Sequence, residues 1–284
     1  MPDVRGKVRE ARRIVVKVGT STLTHGGGKV NLTRIDRLAG VLSEMRNMGR
    51  EAILVTSGAV GIGLSKLRIG SRPKAIAEQQ AAAAVGQCEL MHIYSRAFGD
   101  YGYNVAQVLL TRDVTEDAHK RGNIVNTMES LLSWGVIPII NENDTVSIEE
   151  LKAVGNFGDN DTLAAAVSVL IKADLLVILT DQDGFYDSDP RKDAGARKID
   201  VIRDISDEMR GFAKGAGSKA GTGGMATKLE AAGTVMRSGI DMLLLNGGDP
   251  KIILRALEGG DEGSLFVGAH DGTHEGSHVS THDG

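Results

Sequence analysis

Short β-branched runs alternate along the chain with longer stretches in which apolar residues recur every three to four positions. Arg13-Ile14-Val15-Val16-Lys17-Val18-Gly19 reads as a buried strand followed by the polar loop Gly19-Thr20-Ser21. Ile35, Leu38, Val41, Leu42 and Met45 fall at helical spacing and predict a helix over 33–48, closed by Gly49. A second strand, 52–56, ends in Ser57-Gly58-Ala59-Val60-Gly61. A long alanine-rich helix is predicted over 74–98, a third strand over 105–111 and a helix over 118–134. The fourth strand, 136–140, contains Pro138, which marks a strand end or a break in the ladder. It ends in Asn141-Glu142-Asn143-Asp144, and the weak alternation over 145–151 suggests a small hairpin arm. A helix over 160–171 follows Gly158-Asp159-Asn160-Asp161, which is rich in N-cap residues. The fifth strand, 175–179, ends in Thr180-Asp181, and 188–217 is charged and irregular with short elements near 199–202. A helix over 225–238, a strand over 242–245 and a short helix to Leu257 complete the pattern.

Strands that alternate with helices predict an α/β fold, a three-layer αβα sandwich on a mostly parallel central sheet. Polar residues and glycines gather after the carboxyl ends of successive strands, where open α/β sheets bind ligands. No linker or internal repeat is visible before about residue 260, so 1–267 reads as one domain. Residues 268–284 read as a disordered polar tail carrying His270, His274, His278 and His282. Four-residue spacing would align those histidines on a helix, but the interleaved glycines disfavour one, and adventitious metal binding is the lesser reading.

Composition narrows the function. Aromatics make up 4% of the 284 residues and the net charge is −4, which argues against a surface for nucleic acid. No apolar run approaches the ~20 residues that span a bilayer and no signal peptide is visible, so a cytoplasmic protein without membrane contact is expected. The single cysteine, Cys88, rules out an internal disulfide and reads as a buried structural thiol in the alanine-rich helix. The 37 glycines are nearly double the ordinary share of about 7%, which predicts several loops where backbone meets ligand or turns tightly.

The densest such loop is Gly221-Thr222-Gly223-Gly224-Met225-Ala226-Thr227-Lys228, which runs into a predicted helix. Its glycines and the free N–H groups of the helix start suit an anion such as phosphate, and Lys228 would add a full charge. A turn or linker is the plainer alternative. Neither the Walker A spacing nor a Gly-x-Gly-x-x-Gly turn is present. Lys17 interrupts an apolar strand; it is either an edge-strand lysine or a cation aimed at an anion beyond the strand end. Gly19 and Ser57-Gly58-Ala59 offer donors at two strand ends. Asn141, Asn143, Asp144, Asp159, Asn160 and Asp161 are capping and turn residues by type, and as a set they suit a zwitterion. Asp161 can also hold two lysines in place, because a carboxylate between cations keeps both charged. Thr180 and Asp181 are candidates for nucleotide contacts.

Taken in order, Val16-Lys17-Val18-Gly19-Thr20-Ser21, Val55-Thr56-Ser57-Gly58-Ala59, Asn141-Glu142-Asn143-Asp144, Gly158-Asp159-Asn160-Asp161, Leu179-Thr180-Asp181 and 221–228 resemble the glutamate 5-kinases of the amino acid kinase fold family. The likeness spans about 10–267 and includes Gly263-Ser264-Leu265-Phe266, similar to the family's Gly-Thr-x-Phe segment. The resemblance implies ATP-dependent phosphorylation of the γ-carboxylate of L-glutamate, the first step of proline synthesis, with Mg²⁺ carried by the phosphates rather than by protein ligands. It implies that Ser57, Asn141, Asp144 and Asn160 bind glutamate. It implies that Lys17, Gly19, Thr180, Asp181, Thr222, Gly223, Gly224, Met225, Ala226, Thr227 and Lys228 bind the nucleotide, with Asp161 organising Lys17 and Lys228. Proline feedback inhibition and a homo-oligomer are implied as well. Many members carry a C-terminal PUA domain that is not seen in this sequence. Acetylglutamate, carbamate, uridylate and aspartate kinases share the fold and are the enzymatic rivals; a catalytically silent amino-acid sensor is the rival of another class.

Overall fold

The computed structural model describes residues 4–25, 29–146, 160–215 and 224–269. Most of the expected hairpin arm, Asp159, Gly221, Thr222, Gly223 and residues 270–284 of the histidine tail lie outside these residues, whereas Gly268 and Ala269, expected as the tail's disordered start, are hydrogen-bonded to Asp241 and Met236. The chain begins with α1 (Gly6–Glu10), β1 (Arg13–Val18), the single turn α2 (Thr20–Leu23), α3 (Leu32–Asn47) and β2 (Glu51–Val55). Then come α4 (Ala59–Leu67), α5 (Ile76–Gly99), β3 (Val105–Leu110), α6 (Asp113–Glu116), α7 (Ala118–Ser133) and β4 (Ile137–Glu142). The second half holds α8 (Asn160–Leu170), β5 (Leu175–Thr180), β6 (Phe185–Tyr186), β7 (Lys198–Ile199), β8 (Val201–Ile202) and α9 (Asp207–Gly215). It closes with α10 (Met225–Arg237), β9 (Asp241–Asn246), α11 (Ile252–Leu257) and β10 (Ser264–Phe266).

Local chemistry explains where the helices begin and end. Asn31 caps α3 by accepting from the Arg34 N–H at 3.1 Å, and Gly49 (φ +77°) follows its last turn in the left-handed region. Asp117 caps α7 by accepting from the N–H groups of His119 and Lys120.

Eight strands form one sheet in the order β3-β4-β2-β1-β5-β9-β10-β8. The first six run parallel, whereas β10 is antiparallel to β9 and β8 follows β10. The sheet is thus mostly parallel, as the alternation of elements predicted. Side chains leave a strand on alternate faces, and β1 divides its residues accordingly. Ile14, Val16 and Val18 pack with α3, α5 and α11, while Val15 packs on the other face with α7, α8 and α10. Each such buried aliphatic side chain contributes about 1.5–3 kcal/mol, so the two apolar layers hold the sheet between its helices.

Lys17 pairs with Val55 of β2 on one side and Ile178 of β5 on the other. It therefore lies in a central strand, and the edge-strand reading is wrong. Pro138 is the second residue of β4, and the ladder to β2 starts just after it at Ile139, so it marks a strand start. Cys88 is exposed, not buried: the packed stripe of α5 runs through Ala83, Gly86, Gln87, Leu90 and Tyr94, and residue 88 falls off it. The polar loop after β1 winds into α2, the glycine-rich stretch after Ser57 is mostly α4, and the irregular 188–217 region contains α9. Among the described residues no helix is long and apolar enough to cross a membrane.

Candidate active site

From β1 the chain builds outward to β2 and β3, inserts β4 between those two, then crosses back to lay β5 against the other side of β1. The carboxyl ends of β1 and β5 therefore flank a topological switch point, the place where open α/β sheets leave a crevice. Lys17 stands one residue from the end of β1 on the Val15 face, turned towards α8 and α10. Those helices supply its partners. Asp161 lies in the first turn of α8 and Lys228 in the first turn of α10.

Lys17 Nζ is 2.7 Å from Asp161 Oδ1, and Lys228 Nζ is 3.1 Å from Asp161 Oδ2. The Thr227 hydroxyl also donates to Oδ2, at 3.0 Å. The three charged side chains are almost wholly buried, Asp161 completely. Burial by itself pushes the Asp161 carboxyl up. The Lys17 and Lys228 ammonium groups outweigh it and hold the acid below the usual carboxylate range. Two ammonium groups thus share one carboxylate at the strand end, an arrangement that would attract an anion such as a phosphate. Gly19 follows closely: a Cβ there would lie 3.6 Å from Lys17 Nζ. Gly224 is the N-cap of α10 in extended conformation, and Met225 and Ala226 make its first turn, half-buried.

A second polar group lies between the ends of β2 and β4. The Ser57 hydroxyl sits 3.3 Å from the Val18 carbonyl and 3.2 Å from Thr20 Oγ1. Gly58, at φ +95°, caps α4 in a conformation that side chains resist. Asn160 donates through Nδ2 to the Thr56 carbonyl and, at 3.0 Å, to Asn141 Oδ1. Asn141 donates in turn to Gln87 Oε1 at 2.9 Å. The Thr56 hydroxyl meets Tyr94 at 2.8 Å; burial pushes the Tyr94 phenol up, so it stays protonated at neutral pH. Asp144 is half-buried in the turn after β4. Thr180 ends β5 opposite Asn246, and its hydroxyl lies 3.2 Å from the exposed Asp181.

The structure thus brings Lys17, Asp161, Thr227 and Lys228 into one cluster and Ser57, Asn141 and Asn160 beside it. Thr180 and Asp181 stand at the neighbouring strand end. Thr222 and Gly223 lie outside the described residues. Sequence reasoning missed Gln87, Thr56 and Tyr94. A glutamine on the buried stripe of an alanine-rich helix was the available signal for the first. A cavity of about 600 Å³ opens at the opposite, amino-terminal edge of the sheet, but its charged lining residues Lys7, Glu10, Lys172 and Asp174 are exposed, and the buried Asp241 accepts from the Gly268 N–H at 2.7 Å. Buried charges converge at the carboxyl edge, and we place the site there. The described residues contain no group of three or more His, Cys, Asp or Glu able to hold a metal. Asp161 has both oxygens engaged by lysines.

The sequence profile of the amino acid kinase family matches residues 12–246, and the chain belongs to that family. Among curated proteins, it is 53% identical over 264 residues to the glutamate 5-kinase of Clostridium perfringens (strain 13 / Type A), covering 93% of this chain and 98% of the relative. It is 52% identical to that of Listeria monocytogenes serovar 1/2a, covering 95% and 100%. Solved structures share the fold at lower identity. A carbamate kinase from Giardia lamblia bound to AMP-PNP superposes with a TM-score of 0.65 at 15% identity, covering 92% of this chain and 100% of its own. An isopentenyl phosphate kinase gives 0.62 at 18% identity, covering 89% and 99%.

Proposed function

We propose that this kinase transfers the γ-phosphoryl group of ATP to the γ-carboxylate of L-glutamate, giving L-glutamyl 5-phosphate and ADP, the first step of proline biosynthesis. The observation that carries it is the Lys17–Asp161–Lys228 bridge at the switch point, in a chain half identical to glutamate 5-kinases over nearly their whole length. The chemistry fits the charges. A carboxylate is an adequate nucleophile and needs no general base, so the obstacle is repulsion between it and the triphosphate. Catalysis then consists of positioning and electrostatic stabilisation of the transferring group.

Lys17 and Lys228, spaced by a shared carboxylate, are set to neutralise charge on the oxygens around the transferring phosphorus. Asp161 acts by fixing their separation through its two carboxylate oxygens. Gly224, Met225, Ala226 and Thr227, with Thr180 and Asp181, are the nucleotide side; Ser57, Asn141, Asp144 and Asn160 are the acceptor side. In this reading Mg²⁺ is carried by the nucleotide's phosphates, and both oxygens of Asp161 are engaged by lysines. Proline feedback inhibition, self-association and a cytosolic location belong to the same reading and rest on the resemblance to glutamate 5-kinases.

The test is ADP release from ATP and Mg²⁺ with L-glutamate, with hydroxylamine present to trap an acyl phosphate. Glutamate-dependent release with γ-glutamyl hydroxamate is the expected result. Turnover with carbamate or acetylglutamate, and none with glutamate, would overturn the acceptor assignment. Binding of glutamate or proline without any turnover would make the chain a sensor.

A further inference from the structure

The orientation of each amide beside Asn160 follows from backbone groups that can act in one way only, because a carbonyl oxygen accepts and a peptide N–H donates. The Thr56 carbonyl faces Asn160, so the atom turned to it is Nδ2. At the far end the Glu142 N–H meets Asn141 at 2.9 Å, so the atom there is Oδ1, which also accepts from Asn160. Asn141 must then turn Nδ2 to Gln87, and Gln87 answers with Oε1. Two polar atoms of this relay are left over: Asn160 Oδ1, an acceptor, and Gln87 Nε2, a donor. Among the described residues neither has a protein hydrogen-bond partner.

Gln87 is over nine-tenths buried, and a buried amide N–H without an acceptor is unfavourable. Ligand atoms are the natural partners for such a leftover pair in a site. One acceptor and one donor, held by a relay that cannot be turned round, match the ammonium and carboxylate on the α-carbon of an amino acid. We propose that Gln87 is a specificity-determining residue of the acceptor site, its Nε2 donating to the α-carboxylate while Asn160 Oδ1 receives the ammonium. The inference rests on glutamate being the acceptor and assigns what holds its non-reacting end.

Two variants of the full chain separate this role from mere support of Asn141. Gln87→Glu keeps the length and the oxygen that faces Asn141 but puts an oxygen in place of the donor; Gln87→Met removes both. The acceptors to compare are L-glutamate and 4-aminobutyrate, which keeps the ammonium and the reacting carboxylate but lacks the α-carboxylate. A site that hydrogen-bonds a substrate group rejects the analogue lacking it, here by about 100-fold or more in kcat/KM for the wild type. That ratio is expected to fall at least about tenfold in Gln87→Glu and in the same direction in Gln87→Met, through KM for glutamate, with KM for ATP little changed. If Gln87→Glu does not fold, the ratio in Gln87→Met decides. A ratio unchanged in the folded variants, with both acceptors slowed alike, overturns the inference while glutamate turnover stands. A wild type with no glutamate turnover overturns the functional reading itself, and this inference with it.

Discussion

Asp161 is the residue on which the site balances. Its carboxylate is stabilised in the folded chain by two buried ammonium groups, so its stabilising effect is present at neutral pH. The effect fades as pH falls below the ordinary carboxylate range towards the depressed folded value. Asp161→Asn removes the carboxylate shared by two buried lysines and is expected to cost about 3–5 kcal/mol at pH 7. Urea unfolding of both proteins at neutral and acid pH checks this, because the gap between them should narrow as pH falls. Lys228→Ala should lower kcat on the order of 10²–10³-fold and move KM for glutamate far less. A near-normal kcat in steady-state assays would remove Lys228 from the mechanism. Both lysines and Asp161 were legible in the sequence, one as a charge inside an apolar strand, the others beside glycine or helix-start signals. Gln87 was not: its place on the buried stripe of an alanine-rich helix marks it only as unusual, while its meaning comes from Asn141, more than fifty residues away, and only the fold joins them.

At the scale of elements, the crossing of α4 on α5 sets the geometry of the acceptor side, since α4 follows Ser57 directly and α5 carries Gln87. The two helices meet backbone to backbone. A Cβ on Gly63 would fall 1.8 Å from the Ala82 carbonyl oxygen, and one on Gly86 1.8 Å from that of Ala59. Gly63→Ala or Gly86→Ala should therefore force the helices apart, costing about 1–3 kcal/mol or more and raising KM for glutamate. Gly61→Ala, in the same helix but with open space around its Cβ, should instead stabilise by roughly 0.5–1 kcal/mol. Denaturant midpoints compared with unchanged slopes distinguish the two outcomes. The main strands and long helices were readable from periodicity within a few residues of their ends. What escaped were α1, α2, α6, α9, β6 and β10, elements of two to nine residues whose formation depends on docking rather than on their own pattern. The α4 helix was hidden by its glycines, which lower helix propensity and were needed for the crossing.

Across the whole molecule the two edges of the sheet have separate tasks. At the amino-terminal edge Arg13 ties three elements together, meeting Glu51 at 2.6 Å, Glu129 at 2.6 and 2.9 Å, and the Ile171 carbonyl at 2.6 Å. Glu129 is half-exposed, so Glu129→Gln should cost no more than about 1 kcal/mol and leave kcat and both KM values unchanged. Thermal melts beside steady-state kinetics test that separation. AMP-PNP should protect the fold from the opposite edge, by about 2.7 kcal/mol at a hundredfold excess over Kd, and lose this effect in Asp161→Asn. The paired charges of that edge come from residues 17, 161 and 228, near the start, beyond the middle and late in the chain. If these charges hold the phosphates as proposed, a growing polypeptide has no complete phosphate site until Lys228 has left the ribosome. Nucleotide is then expected to stabilise only the nearly finished chain, with the earlier strands gathering on their own apolar surfaces.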